Sequence, residues 1–225
     1  MGMFAPRLPL LLAALFALVA CKSTPVPDLA LNEDLYAPSG YACKLPGDRT
    51  AFIVPVADSR DLVVVADASE GKYPVQYDTD ARWHRPLAEM VDDVLRTEIE
   101  ESEIFGEVIE SPMAAQIIVT PTIVAFRTGA VEELAGGRAI AEVSIRFQVH
   151  GPADASGARA MILDQTVTDR KVTEAAFRTA SRYVLAGISL RACNLRMLQV
   201  LDSKNIGRAG MPLPELPAAP TATSR

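Results

Sequence analysis

Residues 139–150, Ala139-Ile140-Ala141-Glu142-Val143-Ser144-Ile145-Arg146-Phe147-Gln148-Val149-His150, decide the fold. Ile140, Val143, Ile145, Phe147 and Val149 stand against Glu142, Ser144, Arg146 and Gln148. A period of two is that of a strand with one apolar face. Runs of similar character flank it. Ala115 to Arg127 holds Ile117, Val119, Ile123 and Phe126, interrupted by Pro121, and Ala158 to Arg170 holds Met161, Leu163 and Val167. Gly136-Gly137 and the stretch from Pro152 to Gly157 are suited to hairpin connections. Three such runs predict an antiparallel meander covered on one side.

Helical spacing lies on either side of the meander. Pro86 favours a first helical turn. Leu87, Met90, Val91, Val94, Leu95, Ile99 and Ile104 then recur every three or four residues. Asp92, Asp93, Arg96, Glu98 and Glu101 fall largely opposite, so an amphipathic helix is expected over 86–104, ending before Gly106. A second helix is expected from an N-cap at Thr173 to about Asp202, burying Phe177, Val184, Ile188, Leu195 and Leu198. Upstream, Ala51 to Ala57 reads as a strand, with Pro55 favouring an edge or bulge. Leu62 to Ala66 is β-prone, residues 67–82 read as loop or hairpin, and a short strand is expected near Val108. The expected fold is α+β: a two-layer sandwich, its mostly antiparallel sheet carrying both helices on one face.

The ends of the chain differ from this middle. Arg7 precedes Leu8–Ala20, an apolar run of 13 residues. A helix needs about 20 residues to cross a bilayer, so this run fits a secretory signal better. It ends Leu18-Val19-Ala20-Cys21, which resembles the lipobox of bacterial lipoproteins. That resemblance implies cleavage before Cys21 and lipid attachment to it. Lys22 is not the acidic residue that retains such proteins at an inner membrane, so it implies an outer-membrane, periplasm-facing location. The expected organisation is 1–20 signal peptide, 21–50 lipidated cysteine and tether, 51–203 folded domain, and 204–225 disordered Pro- and Ala-rich tail.

Without residues 1–20 the chain keeps 21 of its 22 basic residues against 28 acidic ones, net −7. That balance disfavours nucleic acid, whose phosphates demand concentrated positive charge. Cys43 and Cys193 remain, and an oxidising compartment allows them one pairing. A Cys43–Cys193 disulfide stapling the N-terminal segment to the last helix is expected; the alternative is two free thiols.

Reactive chemistry is sparse. His84 and His150 are far apart in sequence, and no spacing of Cys, His or Glu resembles a metal site. No Gly-rich phosphate loop or Gly-x-Ser-x-Gly occurs, and Gly136-Gly137 is better explained as a turn. The acidic run Glu98 to Glu103 reads as a solvated helix face. Asp58-Ser59-Arg60-Asp61 reads as a local turn or, less simply, a recognition feature. Trp83, the lone tryptophan, either closes the core or presents a binding surface. Trp83, Asp58 and Arg60 are therefore the candidate partner interface, with no catalytic residue, metal or cofactor expected.

Residues 81–108 carry a wider likeness. Ala81-Arg82-Trp83-His84-Arg85-Pro86-Leu87, then Leu95, Glu101-Ser102 and Phe105-Gly106-Glu107-Val108, resemble the ABC-transport auxiliary lipoproteins of the PqiC kind. The strand with Pro55 and the Asp58-x-Arg60 pattern, with a meander before a final helix, is also similar to small YajG-like lipoproteins. The likeness spans roughly residues 50–202. It implies a non-enzymatic periplasmic module working with envelope lipid-transport machinery, with protein partners there and phospholipid as a ligand. From another class, an outer-membrane activator of a periplasmic cell-wall enzyme is the alternative.

Overall fold

The computed structural model describes residues 38–60, 75–77, 86–131, 138–176 and 179–216. In chain order the elements are β1 (Thr50–Ile53), β2 (Ala57–Asp58), β3 (Val75–Tyr77), α1 (Leu87–Glu101), β4 (Glu107–Val108), β5 (Ile117–Val131), β6 (Arg138–Ala153), β7 (Arg159–Ala176) and α2 (Thr179–Ser203). Among the described residues the strands form one seven-stranded sheet of order β4-β1-β5-β6-β7, with β2 and β3 also pairing β5. The class is α+β. The meander β5-β6-β7 is antiparallel, with Ile123, Ile145 and Val167 in line across it.

The sheet is mixed: its long ladders β5-β6 and β6-β7 are antiparallel, as expected of a mostly antiparallel sheet, but it is not purely so. β1 runs parallel to both β4 and β5, and β2 is parallel to β5. The connection from β1 to β4 carries β2, β3, which pairs antiparallel with β5, and α1, and parallel neighbours need a long crossover of this kind.

Two prolines and a bulge fit their places in this sheet. β1 ends opposite Val119 and β2 resumes opposite Thr122, so Pro121 lies at the gap between them. There its missing N–H costs no ladder bond on that side. The pairing of β5 with β6 then shifts between Ile123 and Ala125. A bulge turns every later side chain over. Val124 is therefore exposed, and Phe126 joins Ile117, Val119 and Ile123 in the core.

α1 buries Leu87, Met90, Val91, Leu95, Ile99 and also Glu98, close to the expected stripe. α2 differs from expectation. β7 continues to Ala176, so Thr173 is a strand residue and not an N-cap. The buried side of α2 is Tyr183, Ala186, Leu190, Cys193, Met197, Leu198 and Leu201, while Val184 and Ile188 face outward. Over Arg182–Ser203 the helix is long and apolar enough to cross a membrane, yet half of that window is buried against the protein. Apolar residues on every side leave the buried face undecided by periodicity.

The folded unit extends past both expected bounds. The N-terminal strap, residues 38–49, runs along the end of α1: the Cys43 N–H donates to Ser102 O and the Gly47 N–H to Glu103 O, both at 2.9 Å. Residues 204–216, expected as part of a disordered tail, fold back on that strap. The Asp48 and Arg49 N–H groups both donate to Gly207 O at 2.9 Å, and Ile206 is fully buried. Residues 217–225 lie outside the described residues.

A Cβ on Gly47 would lie 1.9 Å from Ile104 O, and one on Gly207 only 1.6 Å from the same atom. Gly210 has nothing within 4 Å. Gly207→Ala should therefore destabilise by about 1–3 kcal/mol or more, the usual range for forced overpacking. Gly210→Ala should be neutral or stabilise by up to ~1 kcal/mol. Urea midpoints of the two variants check this, and equal midpoints would refute the close approach.

Candidate functional site

The strap, α1 and α2 meet around Glu98. Its side chain is only 2% exposed, although the run 98–103 reads as a solvated face. The strap explains this, because the Ser39 N–H donates to Glu98 Oε1. Glu98 Oε2 has no hydrogen-bond partner. Asn194, fully buried on α2, lies beside Glu98 without a hydrogen bond of normal geometry at either amide atom. Burial pushes the Glu98 carboxyl up; Ser39, Asn194 and the Arg191 guanidinium oppose this without cancelling it.

Two turns beyond Asn194, the strap meets the far end of α2. The Tyr41 hydroxyl donates to Asp202 Oδ2 at 2.8 Å, and burial together with this bond raises its pKa to about 12. Arg208 binds Asp202 Oδ1 at 2.6 Å and Leu45 O at 3.1 Å. These residues, with Lys44 and Gln199, line an open cleft of about 510 Å³. A smaller cleft of about 240 Å³ lies between Pro55 and the acidic start of α1, at Glu89, Asp92 and Asp93. Asp92 is already engaged, accepting from the Val56 N–H at 3.0 Å and from Arg96 Nε at 2.7 Å.

The remaining candidates separate. Asp58 and Arg60 hold each other in a two-pronged pair, with Nε–Oδ1 2.8 Å and Nη2–Oδ2 2.7 Å. Burial works to raise the Asp58 carboxyl, but the Arg60 bonds outweigh it and hold it below its usual range. This pair forms the local turn, next to the edge where β2 meets β5. Trp83 and His84 lie outside the described residues, as does Cys21. His150 pairs with Ile118 and Met161 in the sheet. Among the described residues no cluster of metal-ligating side chains occurs.

The expected Cys43–Cys193 disulfide is absent, and both thiols are free. Cys193 points at the sheet, its thiol donating to Val143 O at 3.3 Å, and burial pushes its pKa up to about 12. Cys43 lies in the field of Asp202, nine residues further along α2, or about 13 Å of helix. A disulfide needs Cα atoms within about 7 Å. Hydrogen bonds from Tyr41, Asp48 and Arg49 supply the staple that the disulfide was expected to make.

Glu98 is the buried polar residue that patterning missed. Its spacing alone, one helical turn from Leu95 and next to Ile99, placed it at the border of the apolar stripe.

No family model matches this chain, and no curated protein matches it. Solved structures share the general arrangement at low similarity. A hypothetical protein of Chlamydia trachomatis is 11% identical, with TM-score 0.48, covering 72% of this chain and 98% of its own. A Xanthomonas campestris protein of the DUF330 family is 11% identical, with TM-score 0.49, covering 74% and 95%. A minor lipoprotein of Acinetobacter baumannii is 6% identical, with TM-score 0.41, covering 69% and 93%.

Two outcomes test this geometry. A maleimide should label Cys43 in the native protein and Cys193 only after unfolding; recovery of a Cys43–Cys193 cross-linked peptide would overturn the assignment. Glu98→Ala, which orphans the Ser39 N–H, should cost about 1–3 kcal/mol. Glu98→Gln keeps an acceptor and should retain the fold. Because burial raises the Glu98 pKa, its stabilising share is full below 4.5 and falls away as the pH rises through the raised value. Wild-type stability should thus decline from pH 4.5 toward neutrality more steeply than that of Glu98→Gln, as urea midpoints at several pH values will show.

Proposed function

We propose that this chain is a lipid-anchored, non-enzymatic protein of the bacterial envelope, acting as an accessory or scaffold in envelope lipid transport of the ABC type. The observation that carries the anchor is the order of features at the N-terminus: Arg7, the apolar run Leu8–Ala20, then Cys21. Only 17 residues separate Cys21 from Ser39, which the folded body holds through Glu98. A lipid on Cys21 therefore keeps that body within roughly 25 Å of a membrane on average. Two acyl chains and an amide-linked third hold firmly, since each buried CH2 contributes about 0.8 kcal/mol. Lys22 directs the anchored protein to the outer membrane, facing the periplasm.

The folded body offers surfaces in place of reactive groups. In this reading both helices cover one sheet face, since α1 and α2 share a core cluster with Val143, Ile145, Phe147 and Val149. Arg146, Asp164 and Thr166 then stand on the opposite, open face, where Arg146 and Asp164 pair at 2.5 Å. Among the described residues β7 ends the sheet order, and its outer edge, apart from Thr168 O, which Arg196 occupies, is offered for strand addition by a protein partner.

Cys21→Ser should abolish fatty-acid labelling of the chain and move it out of the lipid-anchored membrane fraction. Unchanged labelling would remove the basis of this reading. Cross-linking in cells should recover transporter or substrate-binding subunits; recovery of cell-wall synthases instead would replace the transport role with enzyme activation.

A further inference from the structure

Val184 and Ile188 on α2 are 38% and 47% exposed, and Leu185 and Leu195 are half-buried beside them. At 3.6 residues per turn, Val184, Ile188 and Leu195 lie within roughly 40° of one another, opposite the side that packs on the sheet. Arg191 borders this strip on one side and Arg196 on the other. Arg196 reaches over the strand edge, donating to Thr168 O at 2.8 Å and pairing with Asp169 at 3.0 Å. From Thr179 to Leu201 the helix carries three arginines and no carboxylate, in a chain whose net charge is −6.

We infer that this strip of α2 rests on an anionic phospholipid surface. The inference rests on the lipid-anchored reading of Cys21 for its proximity to membrane and deepens it by naming the face turned to the lipid. Three observations favour a bilayer as the occupant. Arginines flanking exposed aliphatic side chains match the pattern of helices that lie in a headgroup layer. The strap is fastened at Ser39 to Glu98, beside Asn194 and Arg191, so the 17-residue tether leaves the body at the border of the strip. The helix itself brings no carboxylate from Thr179 to Leu201, so nothing along the strip's own length repels anionic lipid. A second copy fits less well, because two-fold pairing of the strips would bring like-charged arginine borders together.

The test uses the full, lipidated chain with Ile188→Cys in a Cys43→Ser background, labelled with nitrobenzoxadiazole; Cys193 is buried and unlabelled. Thr166→Cys, exposed on β7, serves as the control. In vesicles of phosphatidylcholine with phosphatidylglycerol, emission at 188 should shift to the blue and be quenched by lipid-borne nitroxide. The effect should weaken in phosphatidylcholine alone and in high salt. The label at 166 should show neither change. Matching behaviour at 188 and 166 overturns the proposal. So does protection at 188 without vesicles accompanied by a doubled particle mass, which identifies a second copy. The mass of the N-terminal peptide reads the anchor separately. With no lipid on Cys21 the anchored reading fails, and the same label with vesicles added to the soluble chain still reports on the strip. With lipid present and no shift at 188, only the strip proposal fails.

Discussion

Arg49 ties the two ends of the folded chain together. Its guanidinium is buried and donates to Ile206 O at 2.9 Å, Met211 O at 2.9 Å and Ala209 O at 3.4 Å. Burial lowers its pKa and the charge of Asp48 opposes that. What holds a cation here is a ring of carbonyl dipoles satisfied by a planar fork, a task to which a lysine ammonium is poorly matched. Around it three segments distant in sequence become one unit: 42–49, 102–106 and 205–211. Their contact is so close that the Ile104 carbonyl sits against both Gly47 and Gly207, where no side chain fits. The body is therefore closed at the end where the strap enters it.

The meander was legible because alternation is a local signal with a large consequence. Slipping β6 by one residue would turn Phe147 and Ile145 to solvent. α1 was legible for the same reason, since its charged side is distinct. What patterning could not carry was anything that depends on a partner distant in sequence. Parallel pairing of β1 with β5 depends on the whole connection between them, β3 and α1 included, not on the residues of either strand. Ile206 has no periodic companions, so its burial appears only once Arg49 and Gly207 have closed on each other. Glu98 looks solvated until the strap covers it. Of the candidate interface, Asp58 and Arg60 resolve into a turn that satisfies itself, as their short-range chemistry implied.

The misassignment on α2 is of another kind. Val184, Ile188 and Leu195 do recur at helical spacing, and so do Tyr183, Ala186, Leu190 and Cys193, with Leu198 buried as expected. Each set is a valid stripe. The sheet selects the second because it holds the smaller residues, Ala186 and Cys193, where the helix must approach β6 and β7; the Cys193 thiol reaches the backbone carbonyls of both strands. An aliphatic strip is then left outside by the same choice that packs the core.

Glu98 shows how a buried carboxyl can fix the position of a segment at some cost in desolvation. Desolvation works against its charge, and a well-packed apolar side chain at that position would often serve stability as well or better. Such a side chain would leave the Ser39 N–H without an acceptor, and the strap would lose its first attachment after the tether. A backbone donor meeting a charged acceptor makes a stronger and more directional contact than apolar packing along an extended segment. Glu98 thus trades some stability for one defined position of the strap beside α2.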